Sequence, residues 1–121
     1  MRFLVVDDSS TMRRIIVNTL SKIGHQDVEQ ASNGREGMDQ LAKGGIDVVI
    51  TDWNMPEMSG IEFIRAIRAT DAVRGLPVLM VTTNAAQNDI ADALKAGVSN
   101  YVVKPFTPET IREKIEAVTG Q

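Results

Sequence analysis

Val48-Val49-Ile50-Thr51-Asp52-Trp53-Asn54-Met55-Pro56 decides the fold of this chain. A short β-branched run ends in one carboxylate, and Asn54 and Pro56 then prevent the strand from continuing. An apolar run of this length, bounded by turn residues, is the pattern of a parallel strand buried on both faces. Asp52 is thereby expected at the carboxyl end of a central strand, the edge on which open α/β sheets bind ligands. An Asp used only as a turn residue is the bland reading, and the rest of the chain argues against it.

Working outward, the same pattern recurs. Phe3-Leu4-Val5-Val6 reads as a strand that ends in Asp7-Asp8. Ser9, Ser10 and Thr11 start a helix carried by Met12, Ile15, Ile16, Leu20 and Ile23, with Gly24 as its stop. Val28 to Ala31 is polar enough for an edge strand. Asn33 caps a short helix, with Glu36 at its third position and Met38 and Leu41 facing inward. After Asp52, Ser59-Gly60-Ile61-Glu62 is a capping box, and Ile61, Ile64 and Ile67 mark the inner face of a third helix. Val78 to Val81 forms a fourth strand ending in Thr82-Thr83, and a helix from about Asn88 to Ala96 closes at Gly97. Tyr101-Val102-Val103 forms the fifth strand and ends in Lys104-Pro105. Thr107-Pro108-Glu109 opens the last helix, with Ile111, Ile115 and Val118 as its buried face. Five strands alternating with five helices predict an α/β, doubly wound parallel sheet with helices on both faces.

Composition narrows the functions. A length of 121 residues suits one domain, 1–121, with 43% hydrophobic residues and no spanning apolar run. There is no cysteine, so thiolate metal sites and disulfides are excluded and a cytoplasmic location is expected. Residues 1–60 hold six Lys/Arg against nine Asp/Glu, and residues 61–121 hold seven of each. The whole net charge of −3 thus lies in the half that contains Asp7, Asp8 and Asp52. Such a chain is expected to bind neither nucleic acid nor membrane.

Four strand ends carry reactive groups: Asp7 and Asp8, Asp52, Thr82, and Lys104. In a parallel sheet these ends share one edge. Converging carboxylates repel by about 4 kcal/mol per pair at 4 Å and an effective dielectric near 20. A hard divalent cation offsets that repulsion, and oxygen ligands suit Mg²⁺, which keeps waters that a phosphoryl oxygen can replace. Lys104 adds a point charge for an anion and Thr82 a hydroxyl. The expected chemistry is metal plus phosphate.

With these residues in place, the chain resembles the response-regulator receiver domains of bacterial two-component signalling, and among them the stand-alone chemotaxis regulators. The likeness rests on Val5-Val6-Asp7-Asp8-Ser9, on Asp52-Trp53-Asn54-Met55-Pro56 with Ser59-Gly60, on Val81-Thr82-Thr83, and on Tyr101-Val102-Val103-Lys104-Pro105-Phe106. It spans essentially the whole chain. The resemblance implies the flavodoxin-like strand order 2-1-3-4-5 and a cis bond between Lys104 and Pro105. It implies Asp52 as acceptor of a phosphoryl group from a histidine kinase, with Mg²⁺ held by Asp7, Asp8, Asp52 and the backbone carbonyl of Asn54. Thr82, Lys104 and Tyr101 would bind the phosphoryl group and carry the switch. Ile90, Tyr101, Val103 and Lys114 would form the output surface, facing a flagellar switch protein or another target. The implied protein is a monomer, is not an enzyme beyond its own phosphorylation and dephosphorylation, and could have a phosphatase partner. Thr83 and Asn84 depart from the family, where the first position is often small and chemotaxis relatives carry an acid at the second. Alternatives are a phosphorelay carrier, the receiver of a transcription regulator, or, in another class, a small Mg²⁺-dependent aspartyl phosphatase. Against the last, Asp7 and Asp8 are adjacent, whereas that chemistry uses Asp-x-Asp. His25 reads as a solvated turn residue, and Arg13 and Arg14 as a solvated face.

Overall fold

The computed structural model describes residues 1–53, 55, 57–83 and 87–120, without the side chains of 87–89. The strands are β1 (Phe3–Val6), β2 (Val28–Ala31), β3 (Val48–Asp52), β4 (Val78–Thr82) and β5 (Asn100–Val103). The helices between and after them are α1 (Ser10–Lys22), α2 (Gly34–Ala42), α3 (Gly60–Ala69), α4 (Gln87–Ala96) and α5 (Pro108–Thr119). The sheet is wholly parallel, in the order β2-β1-β3-β4-β5. That is the order implied by the resemblance, and β2 is the edge strand its polarity predicts.

Alternation along the strands divides the core between the two sheet faces. Phe3, Val5, Val48, Ile50, Leu79, Val81 and Val102 point to one face, where Ile16 and Leu20 of α1 and Ile111 and Ile115 of α5 cover them. Leu4, Val6, Val49, Val78 and Met80 point to the other, beneath α2, α3 and α4. Because both faces are covered, β1, β3 and β4 need apolar residues at nearly every position. Burying each large side chain contributes about 1.5–3 kcal/mol.

The helix ends follow their capping residues. Ser9, Asn33, Ser59 and Thr107 accept the N–H groups of Met12, Glu36, Glu62 and Thr110, and Ser59–Glu62 is a complete capping box. Several inward assignments change. In α3, Phe63 is fully buried while Ile61 is half-buried, because the helix turns its 60/63/64/67 stripe to the sheet. In α1, Ile15 stays 44% exposed while Thr19 is buried and donates its hydroxyl to the Ile15 carbonyl. Met38 and Val118 are half-buried at the core margin.

Candidate functional site

Parallel pairing sets Val6 beside Thr51 and Asp52 beside Val81, so β1, β3 and β4 end together. Asp7 and Asp8 leave β1, Asp52 ends β3, and Thr82 ends β4. Lys104 follows β5, which is two strands from β3, or about 10 Å at ordinary strand spacing. Its backbone N–H bonds to the Thr82 carbonyl at 2.8 Å, and the Lys104–Pro105 peptide is cis. From there the side chain crosses the end of β4 and brings Nζ to 3.5 Å from Asp52 Oδ1 and 3.8 Å from Asp7 Oδ2.

The three carboxylates converge: one oxygen from each of Asp7, Asp8 and Asp52 lies within 4.8 Å of the others. Their surroundings differ. Asp7 is only 1% exposed, Asp52 is half-buried, and Asp8 faces solvent. Asp7 Oδ1 accepts the Ser9 N–H at 2.9 Å, and Asp52 Oδ1 accepts the Trp53 N–H at 2.8 Å. Asp7 Oδ2 is buried without a hydrogen-bond partner. Burial raises the Asp7 pKa above its ordinary value, and the charges of Asp52 and Asp8 act in the same direction. The Ser9 amide and Lys104 oppose that rise.

These observations fit a divalent cation. The cluster presents only hard oxygen donors, Asp7 keeps an orphaned oxygen in it, and one lysine cannot neutralise three acids. Asn54, whose carbonyl was expected to complete the set, lies outside the described residues, as does Asn84.

Gly60 holds the approach to Asp52. Its N–H bonds to the Trp53 carbonyl at 2.7 Å, and a Cβ there would overlap the Asp52 carbonyl oxygen and lie 3.0 Å from Trp53 Cα. The start of α3 is thus pressed against the end of β3, which only glycine permits. The capping box located this helix start, but nothing in its spacing signalled the close approach. Arg13 is a second residue that sequence reading missed. It is half-buried, and its guanidinium donates to the Asp7 carbonyl and to Gln30 Oε1, while Arg14 remains exposed. His25 is likewise half-buried, with its ring 4.8 Å from that of Phe3.

Of the expected switch and output residues, Thr82 lies on β4, Tyr101 and Val103 on the neighbouring β5, Ile90 on α4 and Lys114 on α5. Thr82 is buried and pairs in register with Val103, while Met80 pairs with Tyr101. Tyr101 is half-buried beside the core, with Lys114 Nζ of α5 5.3 Å from its ring centroid and 3.3 Å from Asn100 Oδ1. Tyr101 and Lys114 are therefore brought together. Val103 is 36% exposed on β5, and Ile90 is half-buried on α4.

Known proteins resemble this chain over nearly its whole length. A family profile described as "Response regulator receiver domain" matches residues 3–116. A "Chemotaxis protein CheY homolog" of Campylobacter jejuni is 54% identical, covering 99% of this chain and 93% of the relative. "Chemotaxis protein CheY1" of Helicobacter pylori is 51% identical, covering 99% and 98% respectively. The solved structure of chemotaxis protein CheY4 of Vibrio cholerae superposes with a TM-score of 0.90 at 37% identity, over 97% of each chain.

Proposed function

The chain belongs to the response-regulator receiver family, and from that premise we propose that Asp52 is its phosphoryl acceptor. It is a phosphorylation-activated chemotaxis response regulator, in keeping with its relatives across nearly their full length. The observation that carries the assignment is Lys104 Nζ lying 3.5 Å from Asp52 Oδ1 and 3.8 Å from Asp7 Oδ2, two members of the three-carboxylate cluster.

The donor is a phosphohistidine on a histidine kinase. An Asp52 carboxylate oxygen attacks phosphorus, and the P–N bond breaks. The imidazole leaves with the electron pair and takes a proton from solvent, and Asp52 becomes an acyl phosphate. Asp7, Asp8 and Asp52, with the Asn54 carbonyl, would hold Mg²⁺. When bound, Mg²⁺ supplies positive charge that offsets the clustered acids and the oxygens of the transferring group. Lys104 adds a fixed cation for one of those oxygens. Gly60 and the Trp53 amide hold Asp52 in place, so little reorganisation is needed as charge moves. Thr82, at the end of β4, then donates its hydroxyl to the new phosphoryl group, and β5 follows through Tyr101. The output is binding: the Ile90, Tyr101, Val103 and Lys114 surface meets an amphipathic acidic segment of a flagellar switch protein. The protein works as a cytoplasmic monomer, catalyses only its own phosphorylation and dephosphorylation, and is reset with or without a phosphatase. Among the described residues, no helix is long and apolar enough to cross a membrane.

Acetyl phosphate with Mg²⁺ should add a single phosphoryl group, and Asp52→Asn should abolish it. Peptide mapping that finds the label on another residue would overturn the assignment. Sustained turnover of phosphate esters would point to a phosphatase instead.

A further inference from the structure

Arg68, near the end of α3, takes no part in the ion pairs found among the described residues. Its guanidinium donates to three backbone carbonyls and one side-chain hydroxyl. Nε and Nη2 both donate to the Gly97 carbonyl, at 2.9 and 2.7 Å. Nη1 donates to the carbonyls of Arg74 and Leu76 at 2.7 and 2.6 Å, and Nη2 also reaches Ser99 Oγ at 3.5 Å. All five N–H donors are thus engaged.

The acceptors belong to two loops. Gly97 closes α4, its own N–H bonding to the carbonyls of Ala93 and Leu94 at 3.2 and 3.1 Å. A cation at that point also meets the negative end of the helix dipole. Leu76 leads into β4, and Ser99 Oγ accepts the N–H of Val78, the first residue of β4, at 3.0 Å. Gly97 has φ of +110°, and a Cβ there would lie 2.9 Å from Arg68 Cγ, so the turn is shaped around the arginine. The other end of α4 is joined to Thr82 through residues 83–86.

We infer that Arg68 is a positioning residue that clamps the C-terminal end of α4 to α3 and to the entrance of β4. A change at Thr82 then moves α4 at its N-terminal end, about a fixed Gly97 end. The clamp stands on the geometry alone, and the pivoting rests on the receiver function proposed above. In that arrangement Arg68 limits which part of the output face responds to phosphorylation without touching the phosphoryl site.

Amide NMR on the full chain tests both parts. Arg68→Met should speed hydrogen exchange about tenfold or more over residues 93–99, with little change in α1, α2 or α5. Arg68→Lys, which keeps the charge but not the planar fork, should recover part of that protection and guards against a misfolded Met variant. In the wild-type chain, beryllofluoride with Mg²⁺, a phosphoryl mimic, should shift the first turns of α4 more than residues 96–99. In Arg68→Lys the shifts should spread along the helix. Unchanged exchange at 93–99, or an equal loss of protection in every helix, overturns the clamp. Wild-type shifts as large at 96–99 as at the start of α4 overturn the pivot. If beryllofluoride moves nothing in the wild-type chain, the receiver reading fails and takes the pivot with it. The exchange experiment then still decides the clamp.

Discussion

Replacing Asp7 with Asn should stabilise the metal-free protein while abolishing its response to Mg²⁺. Asn keeps the shape of the side chain and the acceptor for the Ser9 amide, and removes only charge. Asp7 faces Asp8 and Asp52 at no more than 4.8 Å between the converging oxygens. At an effective dielectric near 20 each pair costs at least about 3.5 kcal/mol. Lys104 at 3.8 Å returns about 4.4 kcal/mol on the same scale. Asp8 faces solvent, so its share is screened by about half, and the net repulsion relieved is about 1–3 kcal/mol. For a chain of this size that amounts to roughly 3–5 °C in Tm per kcal/mol. The pH dependence has a definite sign. Burial raises the Asp7 pKa above 3.8, so the folded state holds this proton more tightly than the unfolded state. The stability gained from the protonated acid is complete below pH 3.8 and is lost as pH rises through the folded value. Thermal unfolding from pH 4 to 8, in EDTA and in Mg²⁺, measures all of this. Mg²⁺ at ten times its Kd should raise wild-type stability by about 1.4 kcal/mol and leave Asp7→Asn unmoved. An Asp7→Asn protein that is less stable in EDTA, or that still gains stability from Mg²⁺, would refute the electrostatic account of the site.

Other consequences can be checked with single variants. Gly60→Ala should cost about 1–3 kcal/mol through overlap with the Asp52 carbonyl, against the gain of up to 1 kcal/mol that Ala brings to a helix. It should also shift Trp53 fluorescence, and a variant as stable as wild type with the same emission would contradict the close approach. Ser59→Ala removes one side of the capping box and should lower stability by about 1 kcal/mol in urea titration. Burial against Phe3, then the positive N-terminus, lowers the His25 pKa below 6.5. The unfolded state therefore takes up this proton first, and stability should fall as pH drops below about 6.5. Unfolding curves of His25→Gln should lack that decline, and an identical pH slope in the variant would remove His25 as its source.

Much of the architecture was legible because each element announces itself locally. Buried parallel strands need unbroken apolar runs, and β1, β3 and β4 have them. Helix starts need an acceptor for orphaned amides, and Ser9, Asn33, Ser59 and Thr107 supply it. The misassigned positions share one cause. Ile61 and Phe63 both fit a helical stripe, and so do Ile15 and Thr19; the angle at which each helix lies on the sheet selects between them.

The site divides in the same way. By itself, the order of residues determined which groups stand at the strand ends, and a parallel sheet then sends Asp7, Asp8, Asp52, Thr82 and Lys104 to one edge. Only the tertiary structure decided that Asp7 is the buried member with an orphaned oxygen, while Asp8, its neighbour in the chain, faces water. It alone decided that Gly60 presses on Asp52, that Arg13 reaches the Asp7 carbonyl, and that Arg68 gathers the carbonyls of two loops. The reason is physical. Strand ends are set by local patterns a few residues long, whereas burial and charge at a site depend on separations between segments far apart in the chain, which exist only once the helices are packed on the sheet.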